Sequence, residues 1–144
     1  PPDAEAALDV RLWDRFFDLY VSVPMQKIVL DRIRPEGAAD PTGVAEARQS
    51  LDTAYAMADA HLTGREWATG DSFSMADCAA APALFFASIV HPFAAGQTHL
   101  QAYFERLLAR HSVHRTLEEA RPYFSMFPYR DAMPARFLHG GLGT

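Results

Sequence analysis

The sixteen or so residues after Ser74 leave the chain little choice of fold. Residues 75–90 carry one charge, Asp77, and are otherwise apolar or small on every side. A helix with no polar face has to be surrounded by other elements, so this segment predicts the central helix of a bundle. Taken alone, residues 84–90 also suit a buried strand. The capping signal at Ser74 and the alanines around Pro82 decide for helix. The longest apolar stretch, residues 78–87, contains Pro82 and falls short of the ~18–20 residues that a membrane span needs.

Four further helices are predicted around it. The first covers residues 3–34 and ends before Pro35-Glu36-Gly37. Residues 35–43 form a turn-rich connector, and a second helix over 44–62 places Val44, Ala47, Leu51, Ala54, Tyr55, Ala58 and Leu62 on one face. A helix over 98–110 shows Leu100, Tyr103, Phe104, Leu107 and Leu108 at helical offsets. A short one over 113–120 turns Val113, Leu117 and Ala120 inward. From Arg121 onward Pro122, Pro128 and Pro134 argue against regular structure. The domain is therefore assigned to residues 1–123, with an irregular tail over 124–144 whose end, from His139, is expected to be mobile. At 144 residues, with 49% hydrophobic and 22% charged residues, the chain fits a single globular domain rather than a disordered segment.

The first helix carries two apolar stripes. Leu8, Leu12, Phe16, Leu19 and Val23 form one, and Trp13, Phe17, Tyr20 and Pro24 lie beside it. The first stripe is the more aliphatic and is assigned to the core. That leaves the aromatic one, Trp13 and Phe17 above all, as an interface for another domain, subunit or ligand. Pro24 is expected to kink or break the helix.

Charge and motifs exclude several functions. The formal net charge is −5, and the twelve arginines and Lys27 alternate with acids (Asp9 with Arg11, Asp14 with Arg15, Asp31 with Arg32). A nucleic-acid partner needs clustered positive charge, so none is expected. One cysteine, Cys78, excludes an internal disulfide and fits a reducing compartment; in an apolar helix it reads as an inert packed thiol. No signal peptide is visible. His111 and His114 lie three apart without a third ligand, and His61, His91, His99 and His139 are scattered, so no metal is expected. No GxSxG, Walker-type or GxGxxG pattern occurs. Ser74-Met-Ala-Asp77 reads as a capping box, in which each residue's side chain bonds the other's backbone N–H, with Phe73 and Cys78 at the flanking staple positions.

The run Leu62-Thr-Gly-Arg-Glu-Trp-Ala-Thr-Gly-Asp-Ser-Phe-Ser-Met-Ala-Asp77 resembles the signature of the glutathione transferase C-terminal domain, an L-x-G-x…G-x-x-[FIL]-[ST]-x-A-D loop leading into a buried central helix. Leu100-Gln-Ala-Tyr103 and Leu108-Ala-Arg-His-Ser-Val113 are similar to the helix and turn that follow it there. A long aromatic first helix with Glu5-Ala-Ala-Leu8 near its start completes the likeness over residues 5–123. It is strongest to proteobacterial members with Arg34-Pro-Glu-Gly37 and Ala76-Asp-Cys-Ala-Ala-Ala-Pro82 at these places.

The resemblance implies an all-α bundle of about five helices in a cytoplasmic protein. It also implies a parent activity of glutathione conjugation, or thiol transfer, to a small apolar electrophile. In that family a thioredoxin-like N-terminal domain binds the co-substrate glutathione and supplies the Tyr, Ser or Cys that activates its thiol. These residues do not match that domain, and the sequence opens at Pro1-Pro2 rather than Met, so the expectation is the helical half of a longer protein, with no catalytic group of its own. The helical half provides one wall of the substrate pocket and half of a homodimer interface. By alignment, Asp18 falls where some classes place a carboxylate that reaches the neighbouring subunit's glutathione. Tyr20, Pro24, Lys27 and Ile28 fall on the part that lines the substrate pocket. The alternative that the family also implies is a non-catalytic scaffold or dimerisation module.

Overall fold

A computed structural model describes residues 3–139. The readings of Pro1-Pro2 and of the end of the tail, residues 140–144, lie outside the described residues. Helix α1 (Ala4–Phe16) starts where the Asp3 carboxylate accepts from the Ala6 N–H at 2.8 Å. It runs through a π-helical segment (Phe17–Ser22) into α2 (Val23–Arg32). Helix α3 (Pro41–His61) begins three residues before its predicted start, because Asp40 caps the Gly43 N–H at 2.8 Å and Pro41 occupies the first turn, where its missing N–H costs nothing. Then come α4 (Met75–Val90), α5 (Thr98–Ala109) and α6 (His111–Ala120). Among the described residues the fold is all-α. The single β pairing is an isolated bridge between Trp67 and Gly70, tightened by a positive φ of 122° at the glycine.

Helix α4 is the axis of the bundle. α1 and the π segment lie along it, α2 packs on α3, and α5 rests against both α3 and α4. Ala76, Ala80, Ala83 and Ala87 keep its surface low enough for close approach, while Leu84, Phe85, Ile89 and Val90 fill the space between. The predicted face of α5 is buried throughout, and that of α3 is buried except at Val44, which is half-buried. Burial of α4 on every side is not observed. Cys78 and Pro82 are exposed along one edge of the helix, so the thiol is not packed.

The two stripes of the first helix are exchanged relative to the sequence reading. Leu8, Leu12 and Leu19 are 63%, 62% and 53% exposed, whereas Phe17, Val21 and Ile28 are fully buried. The inward stripe runs Val10, Phe17, Val21, Met25, Ile28, and Phe17 stacks against Tyr103 of α5 with ring centroids 6.4 Å apart. Phe16 is also buried, and Trp13 is half-buried. The cause is local. Pro24 has no N–H to give the carbonyl four residues back, and the helix answers by widening rather than breaking: the Val23 N–H reaches the Asp18 carbonyl, five residues away. Helix continuity is kept, and the inward stripe continues past the proline.

The C-terminal stretch is also more ordered than its prolines suggest. Short 3-10 turns (Arg121–Met126 and Arg130–Ala132) and α7 (Ala135–Leu138) fold back on the bundle. Phe124, Met133 and Phe137 are buried, with Phe124 and Phe137 both against Phe85 at centroid separations of 5.5 and 4.8 Å. Each proline falls at the start of a turn or between turns, where no helical donor is needed. Residues 124–138 thus belong to the packed body.

The exchanged stripes give a direct test by chemical denaturation. Phe17→Ala is expected to cost about 3–5 kcal/mol, as truncations of buried aromatics do. Leu12→Ala is expected to stay within about 0.5 kcal/mol of the parent.

Candidate functional site

The loop of residues 62–74 and the start of α4 are built around Asp77, which has no exposed surface. Its Oδ2 accepts from the Ser74 N–H at 2.8 Å and the Ser74 hydroxyl at 3.1 Å. Its Oδ1 accepts from the Ala68 N–H at 2.8 Å and the Tyr103 hydroxyl at 2.7 Å. The Ser74 oxygen in turn accepts from the Ala76 N–H at 3.3 Å, completing the cap. Burial, reinforced by the adjacent carboxylate, pushes the Tyr103 hydroxyl far above its ordinary value, so it remains a donor. With four donors on its two oxygens and no exposed surface, this carboxylate ties loop, cap and α5 together. It is not arranged to move protons for a substrate.

Two apolar recesses open elsewhere. A groove of about 520 Å³ lies between α1 and α3, walled by Leu12, Trp13, Phe16 and Tyr20 on one side and by Thr53 and Met57 on the other. A cleft of about 350 Å³ lies between α4 and α6, floored by Phe85, Phe86 and Phe124 and edged by Cys78 and Pro82. Val113, Leu117 and Ala120 of α6 face this cleft and are half-buried, short of the inward packing expected of them. Pro82 sits inside α4 and has no N–H, so the Cys78 carbonyl four residues before it lacks its helical donor on the open edge.

The residues singled out by the sequence are divided by the fold. Tyr20 is 59% exposed and lines the α1/α3 groove. Asp18 sits on the π segment, where Arg15 donates to its carboxylate at 2.6 Å and also pairs with Asp14. Lys27 is accessible and lies 3.6 Å from Glu46 of α3. Pro24 and Ile28 are buried beneath the surface rather than on it. Trp13 belongs to the groove wall, and Phe17 belongs to the core. Among the described residues no cluster of His, Cys, Asp or Glu has a metal-binding arrangement. The α4/α6 cleft was missed in the sequence. Its signals were Pro82, a residue that removes a helical donor, and the adjacent pair Phe85-Phe86, whose rings meet edge to face 5.0 Å apart in the cleft lining.

These features define a class: a helical bundle whose buried central helix begins in a capping box held from outside by loop and helix donors. Residues 41–106 match the family described as the glutathione S-transferase, C-terminal domain. The chain is similar to the glutathione S-transferase GST-4.5 of Xanthomonas campestris pv. campestris, 37% identical over 73 residues, which are 51% of this chain and 36% of that protein. It is also similar to the glutathione S-transferase-like protein LUC7 of a Fusarium species, 33% identical over 87 residues, which are 59% of this chain and 38% of that protein. No solved structure matches it significantly. The family match covers a little under half of this chain, and the matches to the two relatives span little more than a third of the length of either.

The Asp77 centre is expected to be worth more than an ordinary helix cap. Asp77→Ala strands the donors of Ala68, Ser74 and Tyr103 in the interior and should cost about 3–5 kcal/mol, against about 1–2 kcal/mol for a cap alone. Tyr103→Phe removes one bond and should cost about 1–2 kcal/mol. Equilibrium unfolding of the two variants checks both values; an Asp77→Ala loss no larger than a cap's would show that the inner donors find other partners.

Proposed function

We propose that this chain is the substrate-pocket and dimerisation half of a glutathione S-transferase-like protein. In the two-domain protein a thioredoxin-like domain would hold glutathione and lower the pKa of its thiol, and the helical half would hold an apolar electrophile beside it. Conjugation, or thiol transfer, follows when that thiolate attacks the positioned electrophile. Proximity rather than acid–base chemistry is this half's contribution.

The observation that carries the reading is the family match over residues 41–106, joined to a surface that an isolated bundle does not explain. Leu12, Tyr20 and Met57 are more than half exposed around one groove. Apolar surface of this kind, concentrated on two neighbouring helices, suits a second copy related by a two-fold axis. Within this proposal Tyr20 and Lys27 are the accessible pocket residues, and Pro24 and Ile28 set the backbone beneath them. Asp18 is the carboxylate that reaches the neighbouring subunit's glutathione, exchanging part of its pairing with Arg15 for the ligand's ammonium group.

Two measurements test it. The two-domain protein should be retained on immobilised glutathione and conjugate it to an aromatic electrophile, while the 144-residue chain alone should show no turnover above the uncatalysed rate. Retention of a partner protein without affinity for glutathione would favour a scaffold instead. In sedimentation velocity the chain should run as a dimer, and Leu12→Asp combined with Met57→Asp should give a folded monomer, because both side chains are exposed. A monomeric parent would remove the dimerisation role and leave the pocket role to be judged by the glutathione assay.

A further inference from the structure

The cleft between α4 and α6 is held open from both ends. Helix α6 packs mainly on α5 and on the 3-10 turn that follows it. Its apolar side, Val113, Leu117 and Ala120, faces Phe85, Phe86 and Phe124 across about 350 Å³ instead of closing on them. At the start of α6 the Arg110 guanidinium lies 3.6 Å from the centre of the Phe73 ring and donates to the Ser112 hydroxyl; Phe73 and Ser112 both line the cleft. Just past the end of α6, Arg121 donates to the Phe137 carbonyl at 3.2 Å and to both carboxylate oxygens of Glu118. The two arginines differ in charge balance. Glu118 neutralises Arg121, whereas the partners of Arg110 among the described residues, Phe73 and Ser112, carry no charge.

We propose that the α4/α6 cleft binds a flat aromatic carboxylate of about two fused rings, its apolar body among the phenylalanines and its anionic head at Arg110. Small-molecule sites are usually preformed recesses of a few hundred Å³, apolar apart from a few placed polar groups, and the cleft has that form. Val113 and Ala120 are about 10 Å apart along α6, at ~1.5 Å per residue, which gives room for two rings and a carboxylate in line. Phe85 meets Phe86 edge to face and Phe124 face to face, so the floor offers ring edges and ring faces to an aromatic body. At the head, the guanidinium spends one recorded N–H on Ser112 and has others for a carboxylate. A cationic head would meet like charge there, and at the far end the charge of Arg121 is already matched. Because α6 is pinned at both ends, little has to be ordered on binding. The site lies apart from the α1/α3 groove and holds whether or not the chain dimerises or meets glutathione.

NMR titration of the 144-residue chain at pH 7 tests this with 2-naphthoate and its neutral counterpart 2-naphthalenemethanol. The carboxylate should bind saturably, one per chain, with NOEs to the methyl groups of Val113 and Leu117, and about tenfold more tightly than the alcohol. Arg110→Gln should weaken the carboxylate about tenfold and leave the alcohol within about twofold, and Arg110→Lys should restore part of the loss. Equal affinity for the two compounds, an unchanged carboxylate affinity in Arg110→Gln, or NOEs to Leu12 and Met57 instead would overturn the proposal. So would the failure of both compounds to bind, which would assign the cleft to a protein surface. Should Arg110→Gln fail to fold, the comparison of carboxylate and alcohol on the parent, with the position of the NOEs, decides.

Discussion

Asp77 is the one charged side chain in the core among the described residues, and four neutral donors from three places hold it: Ser74 at the cap, Ala68 in the loop and Tyr103 on α5. An ion buried without a counter-ion is tolerable only when its hydrogen-bonding capacity is filled and a helix N-terminus faces it; both conditions are met here. The cost of a missing donor is what makes the arrangement specific. The loop of residues 62–74 cannot shift, nor α5 slide, without unsatisfying the carboxylate. Through Ala68 the same constraint reaches His61 and Trp13, so the first helix is placed by a chain of contacts that begins at the central one.

The sequence was most legible where one pattern had one reading. The capping box, the central helix and the inward faces of α3 and α5 follow from residue types and spacing, because α3 and α5 each have a single apolar side and α4 has no polar one. The first helix has two, and there the reading chose wrongly. Leu8, Leu12 and Leu19 make the more hydrophobic stripe, yet hydrophobicity does not say whether a face meets this chain's core or something outside it. Nor does the composition of residues 17–22 announce a π segment, which depends on how the backbone accommodates Pro24. At the candidate site the exposed groove is partly legible in Tyr20, while Pro24 and Ile28 were placed on the surface by alignment and lie beneath it. Phe124 and Phe137 were hidden among prolines that mark turn boundaries and not disorder.

The two recesses have one device in common. The α1/α3 groove is lined by apolar side chains with Ser50 and Thr53, and the carbonyl of Tyr20, one of its lining residues, has lost its helical donor to Pro24. The α4/α6 cleft has four phenylalanine rings in its lining, and the carbonyl of Cys78 at its edge has lost its helical donor to Pro82. In each case a proline four residues on removes a donor that the α-helix would otherwise supply.

The widened turn at Phe17–Ser22 bears on how this helix tolerates insertion and loss of residues. A π turn holds one residue more than the α turn it replaces, so shortening the chain by one residue there would return the segment to α geometry without breaking it. Both kinds of turn close a full rotation, so the residues on either side would keep the faces they now present: Leu8 and Leu12 outward, Val10 buried, and Met25 and Ile28 buried beyond the segment. One deletion in this short segment would therefore leave the buried stripe, the capping box, α4 and α5 as they are. In a regular stretch of the same helix the loss of one residue would turn everything beyond it by roughly 100° and bring buried side chains to the surface. The widened turn is thus a place where the first helix can change length by one residue and keep its core.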